Sequence, residues 1–433
     1  MFFAGSRFPS LWLNLNAPFS STVDYLEGSP LDRAIFLLLI TAGLAVLAGR
    51  RVEWKFLFRE NRWIWIYFAW GAASLLWSDY PFVSFKRLIK AIGNLIMATV
   101  ILTEKNPYDA AGTVLRRVGI VLVPLSFLFI KYYPDLGRTY HPWTDEPMYT
   151  GVALQKNSLG QICLLSGIYF CWALFRGRQA VYRPLLPVTV VFLCMIGWLL
   201  KTADSATSTM CLILVVAMFL GSRVPFFRRQ PQRLLKLVVA VACLYGLLEA
   251  TVGVSTTIVE MLGRDMTLTT RVPIWQDLLQ LTSNPLIGAG YESFWLDPRL
   301  QGFWEEHGGI RQAHNGYLET YLNLGVVGLT LLLGSILAGF SKVYQSLKSR
   351  QHGSGIFRLC LITPVIVYNW TEATFVGVSN MWLLLLLGSL DLSALSVLAA
   401  TRHQERNRCG MDRPTSDGSV GRSVKWSENR VGI

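Results

Sequence analysis

Charge is what this chain has least of. Only 15% of its 433 residues are Asp, Glu, Lys or Arg, against roughly a quarter in an ordinary soluble domain. A soluble chain of this length would split into two or three domains with charged surfaces and polar boundaries, and such folds are excluded. Metal and disulfide frameworks are missing too. Six of the seven cysteines (Cys163, Cys171, Cys194, Cys211, Cys243, Cys360) lie inside apolar blocks and the seventh, Cys409, in a polar tail. No pair of carboxylates or histidines has recognisable ligand spacing, so no metal site is expected. Acids are scarcest of all: 27 against 40 Lys plus Arg leaves a net charge of +13. Taken alone that excess fits an anionic partner, either nucleic acid or a membrane surface.

What the chain does have is apolar sequence in long blocks. A helix needs about 20 apolar residues to cross the hydrocarbon core of a bilayer. Eleven blocks approach this: Leu31 to Ala48, Trp63 to Trp77, Leu88 to Leu102, Val118 to Tyr133, Leu159 to Phe175, Leu185 to Leu200, Thr209 to Leu220, Leu234 to Val254, Leu318 to Phe340, Leu359 to Val376 and Met381 to Leu398. Several are short, Thr209 to Leu220 most of all, and are expected to extend into small polar neighbours. The reading is an all-α polytopic membrane protein of about eleven transmembrane helices.

The linkers alternate in charge, and Lys and Arg mark the cytoplasmic side. The basic set runs through Arg50, Arg51, Lys55, Arg59 and Arg62, then Lys105, Arg116 and Arg117, then Arg176, Arg178 and Arg183. It continues with Arg223, Arg228, Arg229, Arg233 and Lys236, with Lys342, Lys348, Arg350 and Arg358, and with the tail from Arg402. Every second linker is therefore expected inside, with the N-terminus outside and the C-terminus inside. Spread this way, the +13 is a topology signal; it lacks the aromatic-interleaved basic patch of a nucleic-acid binder. No nucleic-acid partner is expected. The predicted organisation is an external segment over residues 1–30, eight helices over 31–254, a long periplasmic loop over 255–317, three helices over 318–398, and a basic, disordered cytoplasmic tail over 399–433. An external start without an apolar leader is unusual; it favours a twelfth helix missing upstream over an interfacial segment from Phe2 to Phe19.

The loop of about 63 residues before the last three blocks holds most of the chemistry-bearing side chains. It carries Arg264, Arg271, Arg299 and Arg311, two of the chain's five histidines (His307, His314), and seven acids. Loops this long are uncommon and often functional. Arg271 to Gln280 spaces Ile274, Trp275, Leu278 and Leu279 at helical intervals behind Pro273, predicting an amphipathic helix. His314 and Asn315 stand just before a block, near the membrane surface, where a lipid-linked phosphate would lie. Arginine suits phosphate through permanent charge and paired donors, and histidine can exchange a proton near neutral pH. Each has a plainer reading. His314–Asn315 can be a helix cap, Arg271 can pair with Asp265 or Asp277, and Trp275, Tyr317 and Tyr321 can form an interfacial aromatic belt.

Six segments, in order, carry a family resemblance: WSDYPFVSFKR (Trp77 to Arg87), YTGVALQKNSLGQ (Tyr149 to Gln161), DSATS (Asp204 to Ser208), GRDMTLTTRVPIWQDLLQLTSNPLIGAGYESFW (Gly263 to Trp295), AHNGYLETYLNLGVVG (Ala313 to Gly328) and NWTEA (Asn369 to Ala373). In these the chain resembles the O-antigen ligase and polymerase superfamily, most closely its exopolysaccharide-production branch, the ExoQ-like proteins. The resemblance implies a C-type glycosyltransferase-like fold acting on undecaprenyl-diphosphate-linked glycans at the outer face of the bacterial inner membrane, with no nucleotide sugar, metal or other cofactor. The partners it implies are the lipid-linked oligosaccharide, the bilayer, a flippase and a chain-length regulator.

Carried over by motif, Arg271 in LTTR matches the phosphate-binding arginine and His314 in AHN the histidine that serves the acceptor hydroxyl. Around them Arg264, Arg311, Arg87, Lys156, Asn157, Asn315, Glu319 and Trp275 are candidate substrate-binding residues. Arg87 and Lys156 read equally as snorkelling helix-end cations. Glu319 and Glu372 are acids whose burial within a membrane would favour pairing with one of these bases. Polymerisation onto a lipid-linked repeat is the expected reaction, with ligation onto lipid A core as the rival. A transporter, the different-class alternative, would show internal repeats or broken helices with midplane charges, and no repeat is visible.

Overall fold

The computed structural model describes residues 30–50, 52–140, 146–176, 186–252, 271–349, 352–375 and 377–392. The N-terminal segment, the tail with Cys409, and Arg264 with Asp265 lie outside the described residues. Contacts divide the chain at Asp391, and the elements below belong to the first unit. In order they are α1 (Pro30–Gly49), α2 (Trp54–Glu60), α3 (Arg62–Ala73), α4 (Pro81–Leu102), α5 (Pro107–Tyr132), the strands β1 (Arg138–Tyr140) and β2 (Pro147–Tyr149), α6 (Lys156–Arg176), α7 (Leu186–Ala203), α8 (Ala206–Gly221), α9 (Gln232–Val252), α10 (Arg271–Gln280), α11 (Gly316–Lys348), α12 (His352–Thr371) and α13 (Asn380–Ser389), with single-turn helices between. β1 and β2 pair antiparallel, Thr139 opposite Met148.

Each of the eleven apolar blocks overlaps a helix, although the block from Met381 leaves its helix at Ser389 and runs outside the described residues after Leu392; α10 has the limits expected from its spacing. By length and hydropathy, four helices are able to cross a bilayer alone: α5, the first 20 residues of α6, α7 and α11. The pair α1 and α2, bent by 114° where they meet, makes a fifth if counted as one span. Other blocks sit on shorter helices: α3 has 12 residues, α8 has 16 and α13 has 10. α4 is long enough but carries Lys86, Arg87 and Lys90 in its first half. The chain is an all-α integral membrane protein.

Burial separates inner from outer helices. α6 is the hub, packed by α5, α7 and α8, while α8 leads on to α12, and α12 packs on α11 and α13. Within the apolar stretch of α6, 78% is buried, against 28% for α7, so α6 is apolar all round because it has no lipid-facing side. The exposed Val190 and Val191 of α7, Leu244 and Leu247 of α9, and Leu37 and Leu38 of α1 are apolar surface of the kind a bilayer covers.

Opposite ends of the helices have opposite characters. One end is basic: Arg358, fully buried, donates to the Gly388 carbonyl (2.8 Å) and Ser346 (3.0 Å), and Lys342 donates to Asn61 (2.6 Å). These groups belong to the basic linker set. At the other end α11 is broken at Gly325 (φ 67°, ψ −170°). The groups freed there bond to the segment before it: Val326 N donates to the Pro285 carbonyl (2.9 Å), while Ala289 N and Gly290 N donate to the carbonyls of Leu322 (3.1 Å) and Asn323 (2.8 Å). Trp70 Nε1 reaches the Leu324 carbonyl at 3.1 Å. A broken helix was the mark expected of a transporter, but here the protein's own backbone takes up the break.

A Cβ on Gly325 would lie 2.2 Å from the Leu286 backbone, whereas one on Gly197 would meet nothing within 4 Å. Gly325→Ala is expected to lower the melting temperature of the detergent-solubilised chain, since the forced backbone conformation alone costs about 1–3 kcal/mol. Gly197→Ala, also within a helix, should leave it unchanged or raise it.

Candidate functional site

The end of the helices that carries the Gly325 break also gathers the motif residues. α11 begins at Gly316 because Asn315, in extended conformation, caps it: Asn315 Oδ1 accepts from Tyr317 N (3.0 Å) and Leu318 N (3.1 Å). The capping reading of Asn315 is therefore what the structure shows. Gly316 follows because a side chain there would meet Asn369 of α12 at 2.0 Å. Asn369 in turn shapes the turn after α12, its Oδ1 accepting from Thr374 N at 2.8 Å. The AHNG and NWTEA motifs, distant in sequence, are thus packed against each other.

His314 is held from both sides of its own peptide. Ala313, just before it and fully buried, donates its N–H to Glu319 Oε2 (3.0 Å) and receives Trp275 Nε1 on its carbonyl (2.8 Å). Glu319 is itself fixed by Trp295 Nε1 (2.6 Å) and Asn323 Nδ2 (3.3 Å). Trp275 and Glu319, expected to bind substrate, are therefore engaged in supporting the loop. Ile274 and Leu278 of α10 share one apolar core with Phe294, Trp295, Phe303 and Ala313, which gives the loop a packed interior. His314 itself has φ 49°, a left-handed conformation open to His at some cost. The other non-glycine residues with positive φ among the described residues are Asp204 and Glu292, and both lie in motifs quoted above.

Four chain segments meet at Glu372, just past α12. Asn157 of α6 donates to its Oε1 at 2.9 Å. Arg271, first residue of α10, has Nη2 at 3.5 Å from the same oxygen, while Nη1 donates to the Thr371 carbonyl. His314 Nδ1 stands 3.5 Å from Oε2 but is not aligned for a hydrogen bond. Its Nε2 is 3.5 Å from Gln312 Nε2. Glu372 keeps only 10% of its side chain exposed, against 16% for Arg271 and 23% for His314. All three side chains are therefore mostly buried, the carboxylate most of all.

Of the two acids expected beside Arg271, Asp265 lies outside the described residues and Asp277 is taken by His307 Nε2 at 3.1 Å; the acid described beside Arg271 is Glu372. Of the remaining candidates, Lys156 adjoins Asn157 at the start of α6. Arg87 donates to the Glu292 carbonyl, and Arg311 lies over the Trp304 ring at 5.0 Å. Among the described residues no three His, Cys, Asp or Glu side chains converge to hold a metal ion. Glu372 is buried and paired with a motif base, as its place in an apolar block led one to expect; which base it would meet was not legible.

Comparison with known proteins bears on the sequence around part of this site. Residues 188–333 match the model of the O-antigen ligase family. That stretch contains Arg271, Trp275, His314, Asn315 and Glu319, and leaves out Lys156, Asn157 and Glu372. The chain is also similar to the exopolysaccharide production protein ExoQ of Rhizobium meliloti (strain 1021), 26% identical over 291 residues that make up 64% of each chain. The resemblance read from the motifs is thus found again by comparison, with the matched region spanning 64% of that relative's length.

The support beneath His314 is open to test. Trp275→Phe keeps the packing ring but leaves the buried Ala313 carbonyl without its donor, at a cost of about 1–3 kcal/mol. A lower melting temperature is expected for this variant in detergent, with Trp304→Phe, whose indole nitrogen has no partner, close to the parent.

Proposed function

We propose that this membrane protein, whose residues 188–333 carry an O-antigen ligase domain, is a polymerase of exopolysaccharide repeats. It transfers a glycan from an undecaprenyl-diphosphate carrier to a lipid-linked acceptor at the outer face of the bacterial inner membrane. The observation that carries this reading is the meeting of Arg271 and His314, the two motif residues, over one buried carboxylate. It has the parts a glycosyl transfer to a hydroxyl requires: a permanent cation for an anionic leaving group and a base for the incoming proton.

In the reaction an acceptor hydroxyl oxygen attacks the anomeric carbon of the reducing-end sugar, in line with the bond to the diphosphate. The new glycosidic C–O bond forms as the old one breaks, and the electron pair leaves with the diphosphate oxygen. The hydroxyl proton passes to His314 Nε2, a general-base contribution of about 100- to 10,000-fold. Arg271 meets the charge that grows on the leaving diphosphate. Products are a lengthened glycan on the acceptor carrier and free undecaprenyl diphosphate; His314 then returns its proton to solvent. Lys156, beside Asn157, and Arg264 are further cations for the diphosphate, and a flippase and a chain-length regulator are the protein partners this role calls for.

The family model's description favours a second reading, in which the acceptor is lipid A core and the reaction is ligation. Similarity to ExoQ favours polymerisation. A deletion strain separates them: accumulated single repeat units indicate a polymerase, and free polymer of normal length that fails to reach lipid A indicates a ligase. His314→Ala and Arg271→Ala are each expected to lower transfer at least 100-fold while the protein still inserts in the membrane. Normal transfer by His314→Ala would remove the histidine from the mechanism.

A further inference from the structure

Glu372 serves neither as the cation nor as the base in that mechanism, yet both face it. Its Oε1 accepts from Asn157 at 2.9 Å and has Arg271 Nη2 at 3.5 Å; its Oε2 lies 3.5 Å from His314 Nδ1. The Asn157 bond has ordinary length, and the other two are long for the same kind of interaction. One carboxylate is therefore anchored by a neutral amide and shared, loosely, between two groups that need it in different ways.

The needs conflict. A diphosphate entering the site competes with Glu372 for the guanidinium of Arg271, because an arginine engaged by a carboxylate has fewer donors to offer a phosphate. An imidazole that takes a proton on Nε2 works best when Nδ1–H is held by an acceptor, which fixes tautomer and ring orientation. The carboxylate stands 3.5 Å from each and serves neither closely.

The geometry points to Glu372 as a positioning residue that changes partner when the donor binds. Arg271 leaves Glu372 for the diphosphate, and the released carboxylate closes on His314 Nδ1, turning Nε2 toward the acceptor hydroxyl. Asn157 holds Oε1 throughout, so the carboxylate pivots rather than departs. The base is thereby aligned only when there is a donor to attack. This inference rests on the proposed role of Arg271 as the diphosphate ligand.

The consequence is a pair of effects of opposite sign. Glu372→Gln removes the competitor for Arg271, so the full-length chain in nanodiscs should bind undecaprenyl diphosphate more tightly, by about tenfold. The same substitution leaves His314 without its carboxylate, so kcat should fall at least tenfold with lipid-linked repeats extracted from a deletion strain. Glu372→Asp, which keeps the charge but withdraws it from both partners, should act in the same directions. In a His314→Ala background the kcat effect of Glu372→Gln should vanish, while the tighter binding remains. A merely structural carboxylate would weaken both properties and add its losses to those of His314→Ala.

Weaker or unchanged binding by Glu372→Gln and Glu372→Asp, with Arg271→Ala defective, would overturn the partner change and leave the function standing. Wild-type binding by Arg271→Ala would overturn the reading on which it rests.

Discussion

Beside lipid, a backbone that leaves the helix must find its hydrogen bonds within the protein, because hydrocarbon offers none. The structure depends on how its breaks meet this demand, and buried asparagines meet much of it. Asn323 accepts from Phe294 N at 3.1 Å, where the loop approaches the α11 break. Asn369 accepts from Thr374 N, and Asn94 donates to the Gly377 carbonyl, so the α12–α13 turn is held from two helices. Asn61 does the same at the basic end, donating to the Leu57 and Asp391 carbonyls. An asparagine presents a donor and an acceptor on one short side chain without charge, which suits it to replacing a missing turn of helix at low desolvation cost.

These patches decide where the chemistry lies. A segment supported by side chains can leave regular conformation without fraying, so left-handed residues and tight turns are affordable at that end of the helices. His314 and Glu292, with φ of 49° and 47°, are both in segments fixed in this way. Glu292 Oε1 accepts from Gly377 N at 2.7 Å, and its carbonyl accepts from Arg87. The loop before α11, the turn after α12 and the second turn of α4 are thereby joined, and Glu372 belongs to the turn after α12. Arg87, named as a possible substrate ligand, acts here in joining them.

Much of this was open to sequence reasoning, within a limit set by distance along the chain. Block length and the position of Pro273 are local signals, and the helices they announce are where they should be. The motif histidine and arginine were found by resemblance. The number of helices long enough to span alone was not legible, because blocks such as Thr209 to Leu220 sit on helices of 16 residues or fewer. Nor were the particular partners, although a base beside Glu372 was expected. Arg271 lies 101 residues from Glu372, and Asn157 lies 215 residues from it, and nothing in either neighbourhood encodes the meeting. The partner of Trp275 was hidden for another reason: it is the Ala313 carbonyl, a group every residue owns.

Local rigidity also orders the roles within the site. Ala313 is fixed through its N–H and its carbonyl, and Asn315 through two cap hydrogen bonds, so His314 between them retains little freedom beyond the rotation of its side chain. Thr371, at the end of α12, is fixed through the hydroxyl of Thr207 at 2.8 Å. Arg271 is different: it opens α10, and its long side chain is held by one carbonyl and one distant carboxylate oxygen. A site must admit a charged substrate before it can act on it, and the group that receives the charge has to move first. Precision belongs to groups locked by their surroundings, which here are the backbone on either side of His314 and the Glu372 oxygen held by Asn157. Adjustment falls to the guanidinium, the side chain with the longest reach and a charge that does not titrate.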